Sequence, residues 1–419
     1  MSNPERLPLP SHVEVIIVGG GAAGLMAGIT AGRRAPHQSC LILDGAPKLG
    51  AKILVAGGGR CNVTHDQVTP EAYAGASPHA IKKVLRRFDV PETIAFFREL
   101  GVELKRESTG KLFPVSDSAR TVLDALLEAV RGAGVGLYHP YRVEHISRQG
   151  DGFAVSGAWG QISAHKVVLA TGGKSLPKSG SDGGGYALAQ ALGHQLSPRL
   201  LPALVPLTLP PDHFIRRLSG ITLPTTLELR ADSGKRLIAF TDSTLCTHFG
   251  LSGPSVLNIS RHYLSACTES GEHPTLTINW LPDFASETLE AALQRGGRIS
   301  VGRWLSDRLP ERLAGALCTH SGVDPVIPCD QLPRESRKGL TRVVTGLPLP
   351  ITGSRGFTYA EVTAGGIPLS DLHLDRMESR LCPGLYFCGE ICDVDGQIGG
   401  YNFQWAWASG FVAGTSVSI

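Results

Sequence analysis

Gly19-x-Gly21-x-x-Gly24 follows a short apolar run, Val13–Val18, and opens a helical pattern. In this order each glycine has its own part in holding a diphosphate. The first permits a tight turn, the second lets the backbone approach the phosphates, and the third lets the helix pack close to the strand. The amino end of the helix adds free N–H groups and the positive end of its dipole. A second apolar segment, Cys40–Leu43, ends at Asp44, whose carboxylate is placed to accept from a ribose diol. Strand, glycines, helix, strand and acid therefore point to a bound dinucleotide. Gly19, Gly21, Ala22 and Gly24 would cradle its diphosphate, and Asp44 would hold the ribose of its adenosine. The plainer alternative is a glycine-rich turn that holds no ligand.

The elements that must position these residues can be read from periodicity. Helical patterns cover 79–88 and 91–100, the second stopping at Gly101, and 117–131 is amphipathic. Residues 136–170 read as successive strands broken at glycines, the last being the apolar Lys166–Ala170 that ends at Thr171-Gly172-Gly173. A second glycine cluster, Gly183–Gly185, opens a helix from Tyr186 to Gly193. The stretch 45–65 shows little periodicity and is expected to be a long functional loop. Composition shifts near Leu196. Thr225–Phe240 then reads as a hairpin turning at Asp232-Ser233-Gly234, and 286–316 and 334–345 read as Arg-rich helices. A buried strand, Gly384–Cys388, and a final helix from near Gly400 complete the chain. The expected organisation is a discontinuous nucleotide-binding domain over 1–195 and 346–419, interrupted by a β-rich part, 196–285, and a small helical part, 286–345.

A length of 419 residues suits two or three domains, and 42% hydrophobic with 18% charged residues is ordinary globular composition. Residues 13–32 are apolar, but Glu14 and the glycines fit strand-turn-helix better than a membrane span. The nine cysteines are scattered, with Cys388 and Cys392 spaced Cys-x-x-x-Cys. This spacing argues against a disulfide framework, an iron–sulfur cluster or another metal site, and for a reducing cytoplasm. The net charge of +3 says little about partners, but residues 80–111 hold eight Lys/Arg against five acids and residues 295–342 hold nine against five. These are solvated helix faces or, less commonly, surfaces for an anionic partner.

Four longer segments are more specific. They are Asp44-Gly-Ala-Pro-Lys-Leu-Gly-Ala-Lys52 through Gly57-Gly58-Gly59-Arg60-Cys61-Asn62-Val-Thr64; Ala170-Thr-Gly-Gly-Lys-Ser-x-Pro; Thr247-His-Phe-Gly-Leu-Ser-Gly-Pro254; and Val362-Thr-x-Gly-Gly366, followed by Met377-Glu-Ser379 and by Gly384-Leu-Tyr-Phe-Cys-Gly-Glu390-x-x-Asp393-Val-Asp-Gly-x-x-Gly-Gly-Tyr-Asn402. Together they resemble the signature of the HI0933-like flavoproteins, also called the BaiN/RdsA family, over nearly the whole chain. The resemblance implies FAD as the dinucleotide. It also implies an α/β fold in which a Rossmann-like FAD-binding domain of the glutathione-reductase type carries an inserted β-barrel-like domain and a small helical domain. Members are linked to reduction of activated C=C bonds, one branch making dihydrouridine in large-subunit ribosomal RNA and another reducing steroid enones. Asp44 stands where Glu is usual, Ala56 where Ser is common and His65 where Asn often follows Thr64. The last two weaken transfer of the substrate more than transfer of the cofactor.

On this resemblance Lys52, Gly58, Gly59, Arg60, Asn62 and Thr64 would lie along the FAD, with Arg60 offsetting diphosphate or flavin charge unless it is a structural ion pair. Backbone at Val143 would meet the adenine, and Thr171 and Gly172 would approach the nucleotide. Gly389, Glu390 and Asp393 would flank the ribityl chain, with Asp395 an alternative to Asp393. Gly400, Tyr401 and Asn402 would direct N–H groups at the flavin pyrimidine. A hydride would come from the reduced flavin and a proton from Cys61, His248 or Tyr401. Cys61 is expected to have a lowered pKa beside Arg60, and His248 to donate near neutral pH. With only one dinucleotide fingerprint in the chain, NAD(P)H would dock transiently or another donor would serve. Ribosomal RNA leads as substrate, then a small enone. A fumarate-reductase-like dehydrogenase and a non-enzymatic flavin-bearing RNA-binding factor remain alternatives. Oligomeric state is not legible.

Overall fold

In the computed structural model, which describes residues 9–269 and 274–418, the chain divides into two units. The first unit runs to Leu200 and resumes at Glu361; the second is Leu201–Ala360.

The first unit is built on parallel strands. β1 (His12–Val18) lies between β2 (Cys40–Leu43) and β4 (Gly160–Leu169); β3 (Gly136–Tyr138) adds beyond β2, and β5 (Leu385–Phe387) beyond β4. Register is tight, with Val18 opposite both Leu43 and Leu169 and Leu169 opposite Phe387, so these strands end level at their carboxyl edge. The strands are short runs of Val, Ile and Leu with every residue of β2 and β5 buried, as expected of a sheet covered on both faces. The first half of β4 also pairs antiparallel with Gly152–Gly157.

Two helices fix the site's position on this sheet. α1 (Ala22–Arg34) is buried from Ala23 to Gly32, and α3 (Tyr401–Val417), the last helix, is buried along most of its length. α2 (Ala119–Gly132), between them in the chain, is amphipathic and buries Val122, Leu123 and Leu126. α1 and α3 approach closely because glycines face backbone. A Cβ on Gly410 would lie 2.5 Å from the Ala23 carbonyl oxygen, and one on Gly414 would lie 2.4 Å from that of Ala27.

The second unit is an antiparallel sheet in the order Leu347–Pro348, Thr275–Asn279, Thr222–Arg230, Arg236–Thr247, Gly250–Ser252, Leu207–Thr208, Gly353–Ser354. The expected hairpin forms, with Gly234 at φ 81° in its turn. Leu227, Leu229 and Ile278 from the sheet, with Trp280 just beyond it, share one core with Leu289, Leu293, Leu313 and Leu317 from the helices.

Several expectations need correction here. The β-rich and helical parts are not separate, because neither buries its apolar face without the other. The boundary falls at Ala360–Glu361 rather than after residue 345, because Leu347–Pro348 and Gly353–Ser354 pair into the second unit's sheet. Among the described residues no pairing joins the two outermost strands, so the sheet stays open instead of closing as a barrel. The expected loop 45–65 contains the helix Ala51–Gly59, which departs from helical backbone at Ala56, Gly57 and Gly58. The glycines that break this helix also hid it from a periodicity reading.

Candidate functional site

At the level edge of the parallel sheet the chain makes close backbone approaches. Gly19, at φ 110°, donates its N–H to the Leu43 carbonyl at 2.8 Å, and a Cβ on it would lie 2.4 Å from the Ala170 carbonyl oxygen. A Cβ on Gly24 would fall 1.8 Å from the Gly19 carbonyl oxygen. Gly21 is different, because a Cβ there would meet nothing within 4 Å. Two of the three glycines are thus required by the fold, and the middle one borders open space at the amino end of α1. The first N–H groups of that helix have no partner within it, and no side chain caps it.

Asp44 is tied into the same turn. One carboxylate oxygen accepts from Gly20 N–H at 2.6 Å and the other from Ala46 N–H at 2.6 Å. Each oxygen keeps acceptor capacity for a hydroxyl. Val143 buries its side chain, leaving only main chain to face a ligand, while its neighbour Arg142 pairs with Asp182 at 2.8 Å. Beyond β4, Thr171 Oγ1 and Ser181 Oγ are buried without a hydrogen-bond partner, as is Asn62 Oδ1. Gly185 and Gly172 give the first two room, since Cβ atoms there would lie 1.8 Å from Thr171 Oγ1 and 2.7 Å from Ser181 Oγ. Unpartnered buried polar atoms are rare in native folds and call for an absent partner.

Lys52 and Glu390 serve each other. Lys52 Nζ lies 2.6 Å from Glu390 Oε2 and 2.7 Å from Ser175 Oγ; Ser175 Oγ donates to Glu390 Oε1 at 2.7 Å, and Thr363 N–H donates to the same oxygen at 2.9 Å. This network ties the helix Ala51–Gly59 to the turn after β5. Ser175 and Thr363 were not singled out from sequence, although both lie in the motifs quoted. Met377-Glu-Ser379 also has a structural use: Ser379 Oγ is 2.8 Å from Nε2 of the buried His194.

Arg60 takes the ion-pair role. Its guanidinium is 2.6 Å from Glu107 and 3.6 Å from Asp117 and lies over the Phe113 ring at 4.0 Å, so its charge is already answered within the fold. The lowered pKa expected for Cys61 is corrected for the same reason. Arg60 is committed elsewhere, Cys61 is fully buried, and burial pushes its thiol up to about 12. Thr64 donates its hydroxyl to Gln404 Oε1 at 2.7 Å, and its backbone packs against Gly400. Gly58 would meet nothing with a Cβ, and Gly59 only the Leu54 carbonyl oxygen at 3.8 Å.

Gly389 donates its N–H to Ser409 Oγ at 2.9 Å. Asp393 packs on Gly75, and Asp395 is buried. The Asn402 amide closes on Gly396, accepting its N–H at 2.8 Å and donating to its carbonyl at 2.9 Å. Asn402 therefore shapes the turn before α3 and leaves only main chain for a ligand. Gly400, at φ 99°, caps α3 without a side-chain bond. Tyr401 stacks on His65 at 5.1 Å and meets Tyr73 edge-on at 5.9 Å; burial raises its pKa, and its hydroxyl has no hydrogen-bond partner among the described residues. His248 is exposed in the second unit, and its carbonyl accepts from Arg216 Nε at 2.6 Å.

These features fit a dinucleotide: an open cradle at Gly21, a carboxylate with spare acceptors, orphaned buried hydroxyls and a second helix amino end at Gly400. Among the described residues no group of three or more His, Cys, Asp or Glu could hold a metal ion, and no helix is long and apolar enough to cross a membrane.

Two predictions follow from this geometry. Gly21→Val should fold and melt like the parent stripped of flavin, because a Cβ there meets no protein atom within 4 Å, yet purify without the yellow of bound flavin and so melt below the loaded parent. Absorbance and thermal melting check it, and retained colour would contradict the cradle. With a disulfide-exchange reagent at pH 8, Cys267 should react quickly, as the one exposed cysteine, and the buried thiols, Cys61 included, only after unfolding. A mass-mapped label on native Cys61 would contradict the placement.

The sequence matches the HI0933-like protein Rossmann domain over residues 13–416. It is 35% identical over 407 residues to the 3-dehydro-bile acid delta(4,6)-reductase of Clostridium scindens, covering 96% of this chain and 98% of that protein. It is also 35% identical over 398 residues to the ribosomal RNA dihydrouridine synthase of Escherichia coli, covering 94% and 96%. Among solved structures, 3-ketosteroid delta1-dehydrogenase from Sterolibacterium denitrificans aligns with TM-score 0.53 and 14% identity over 98% of this chain and 100% of that one. Quinol fumarate reductase FrdA from E. coli aligns with TM-score 0.53 and 16% identity over 97% and 70%. The last two share the fold. The chain belongs to the HI0933-like family of Rossmann-fold flavoprotein oxidoreductases.

Proposed function

We propose that this protein reduces an activated C=C bond and that its substrate is a uridine of large-subunit ribosomal RNA, which becomes dihydrouridine. The observation that carries the reading is the open cradle at Gly21, in a chain alike over nearly its full length to a ribosomal RNA dihydrouridine synthase. FAD, when bound and reduced, supplies hydride to the double bond. The chain's own residues do the rest. The N–H groups at the start of α1 bind the diphosphate, Asp44 holds a ribose, and the amino end of α3 stabilises negative charge on a reduced ring by about 1 kcal/mol. Lys52, Ser175 and Glu390 keep the walls of the site in place.

For the proton we favour Tyr401 Oη. Like any phenol it holds its proton at neutral pH, burial raising its pKa further, and its hydroxyl has no hydrogen-bond partner among the described residues. Cys61 lies too deep to serve. One dinucleotide fingerprint is present, so the electrons come from a donor that visits; we take this to be NAD(P)H. A steroid-like enone is the second reading, favoured by the equal likeness to the bile-acid reductase.

In a strain lacking the gene, mass spectrometry of ribosomal RNA should find one uridine short of the two-hydrogen increment, restored by the intact gene. Unchanged RNA, with turnover of an enone, selects the second reading. Tyr401→Phe should keep its flavin and lose turnover by on the order of a hundredfold, within the usual worth of a general acid. Undiminished turnover would remove Tyr401 from the role.

A further inference from the structure

The motif Thr247–Pro254 has a second feature, in the second unit. The strands Gly250–Ser252 and Gly353–Ser354 both pair with Leu207–Thr208. The residues just outside them, Phe249 and Arg355, meet through the long arginine side chain. Arg355 Cζ lies 4.4 Å from the centre of the Phe249 ring and 3.8 Å from that of Tyr359. Tyr359 is 51% exposed, so one face of its ring is open to solvent. His248 meets Phe249 edge-on at 5.1 Å, and Arg216 is fastened to the His248 carbonyl. Arg312 donates to the Arg217 carbonyl at 2.7 Å. Among the described residues, none of Arg216, Arg217, Arg312 and Arg355 has a carboxylate within ion-pair distance. By contrast, Arg230 and Arg236 share Glu228, Arg303 pairs with Asp307 and Arg337 with Glu290.

An exposed aromatic ring stacked on an unpaired guanidinium, beside further unpaired arginines, is the chemistry that single-stranded nucleic acid selects. Bases stack on aromatic rings and on guanidinium planes, and phosphates take the remaining charge. A saturated ring system offers neither a π-face nor phosphates. A clamp serving only to join two loops would need neither the exposed Tyr359 nor four arginines without acids.

We propose that Phe249, Arg355 and Tyr359 form a stacking platform for a base of an unpaired RNA strand, with Arg216, Arg217 and Arg312 meeting its phosphates. This rests on the reading of RNA as substrate and names the surface that holds the nucleotides around the target.

The test is fluorescence anisotropy of a short labelled single-stranded RNA with the FAD-loaded full-length protein over a salt series. Tyr359→Ala should raise Kd about tenfold with the salt slope unchanged, as expected for one lost stack. Tyr359→Phe should bind like the parent. Arg355→Lys keeps the charge and loses the plane, so it should resemble Tyr359→Ala. Arg217→Gln should weaken binding and reduce the salt slope by about one. Retained flavin absorbance and circular dichroism show that each variant is folded. An unchanged Kd in both Tyr359→Ala and Arg355→Lys overturns the platform, as does a Tyr359→Ala variant that loses affinity for a steroid enone and not for RNA. Dihydrouridine in ribosomal RNA, measured in the same strains, separates the failures. If it depends on the gene while Kd is unmoved, the platform alone falls; if it does not depend on the gene, the RNA reading falls.

Discussion

The first unit depends on the contact between the Gly24 position and the Gly19 carbonyl. With a Cβ 1.8 Å from that oxygen, α1 could not start where it does. The start of α1 decides where its unpaired N–H groups point, and the same turn brings Gly20 N–H onto Asp44. Moving the helix by one side chain would undo the open turn at Gly21, the Gly20–Asp44 hydrogen bond and the seam with α3 together. The seam follows the same logic, since Gly410 and Gly414 let α3 lie against the backbone of α1. Both helix amino ends are thereby held on one rigid support, which keeps a bound group in register without loops having to order around it.

Charge is distributed around that support with little left over. Lys52 is answered by Glu390, Arg60 by Glu107 and Asp117, and Arg142 by Asp182. The charged residues of the motifs hold loops in place, while main-chain N–H groups of α1, the Thr171 and Ser181 hydroxyls and the Asp44 carboxylate keep hydrogen-bonding capacity to spare. In the second unit Arg230, Arg236, Arg303 and Arg337 are likewise answered by acids, whereas the arginines around Arg355 lack them among the described residues.

Sequence made the parallel sheet, the glycine turn and the final helix legible, because each has a period or a glycine that backbone geometry requires. It also placed Asp44 next to the glycine turn, since the end of the second strand lies beside it. It did not reveal the partners of the charged residues. Lys52 and Glu390 are 338 positions apart, and only the fold makes Arg60 an ion pair. The thiol of Cys61 was misjudged because adjacency in the chain is not adjacency of charge: Arg60 turns away and desolvation sets the pKa. The helix at Ala51–Gly59 was missed because its own glycines break the period, and the shared core of the second unit because it joins segments distant in the chain.

The central claim is that the amino end of α1 grips the diphosphate of a flavin dinucleotide. Heat-releasing the bound chromophore from purified protein and resolving it by chromatography with mass detection tests this most directly. The account predicts FAD at about one per chain. FMN, which has no diphosphate, a nicotinamide dinucleotide in its place, or protein that cannot be loaded with FAD would contradict it.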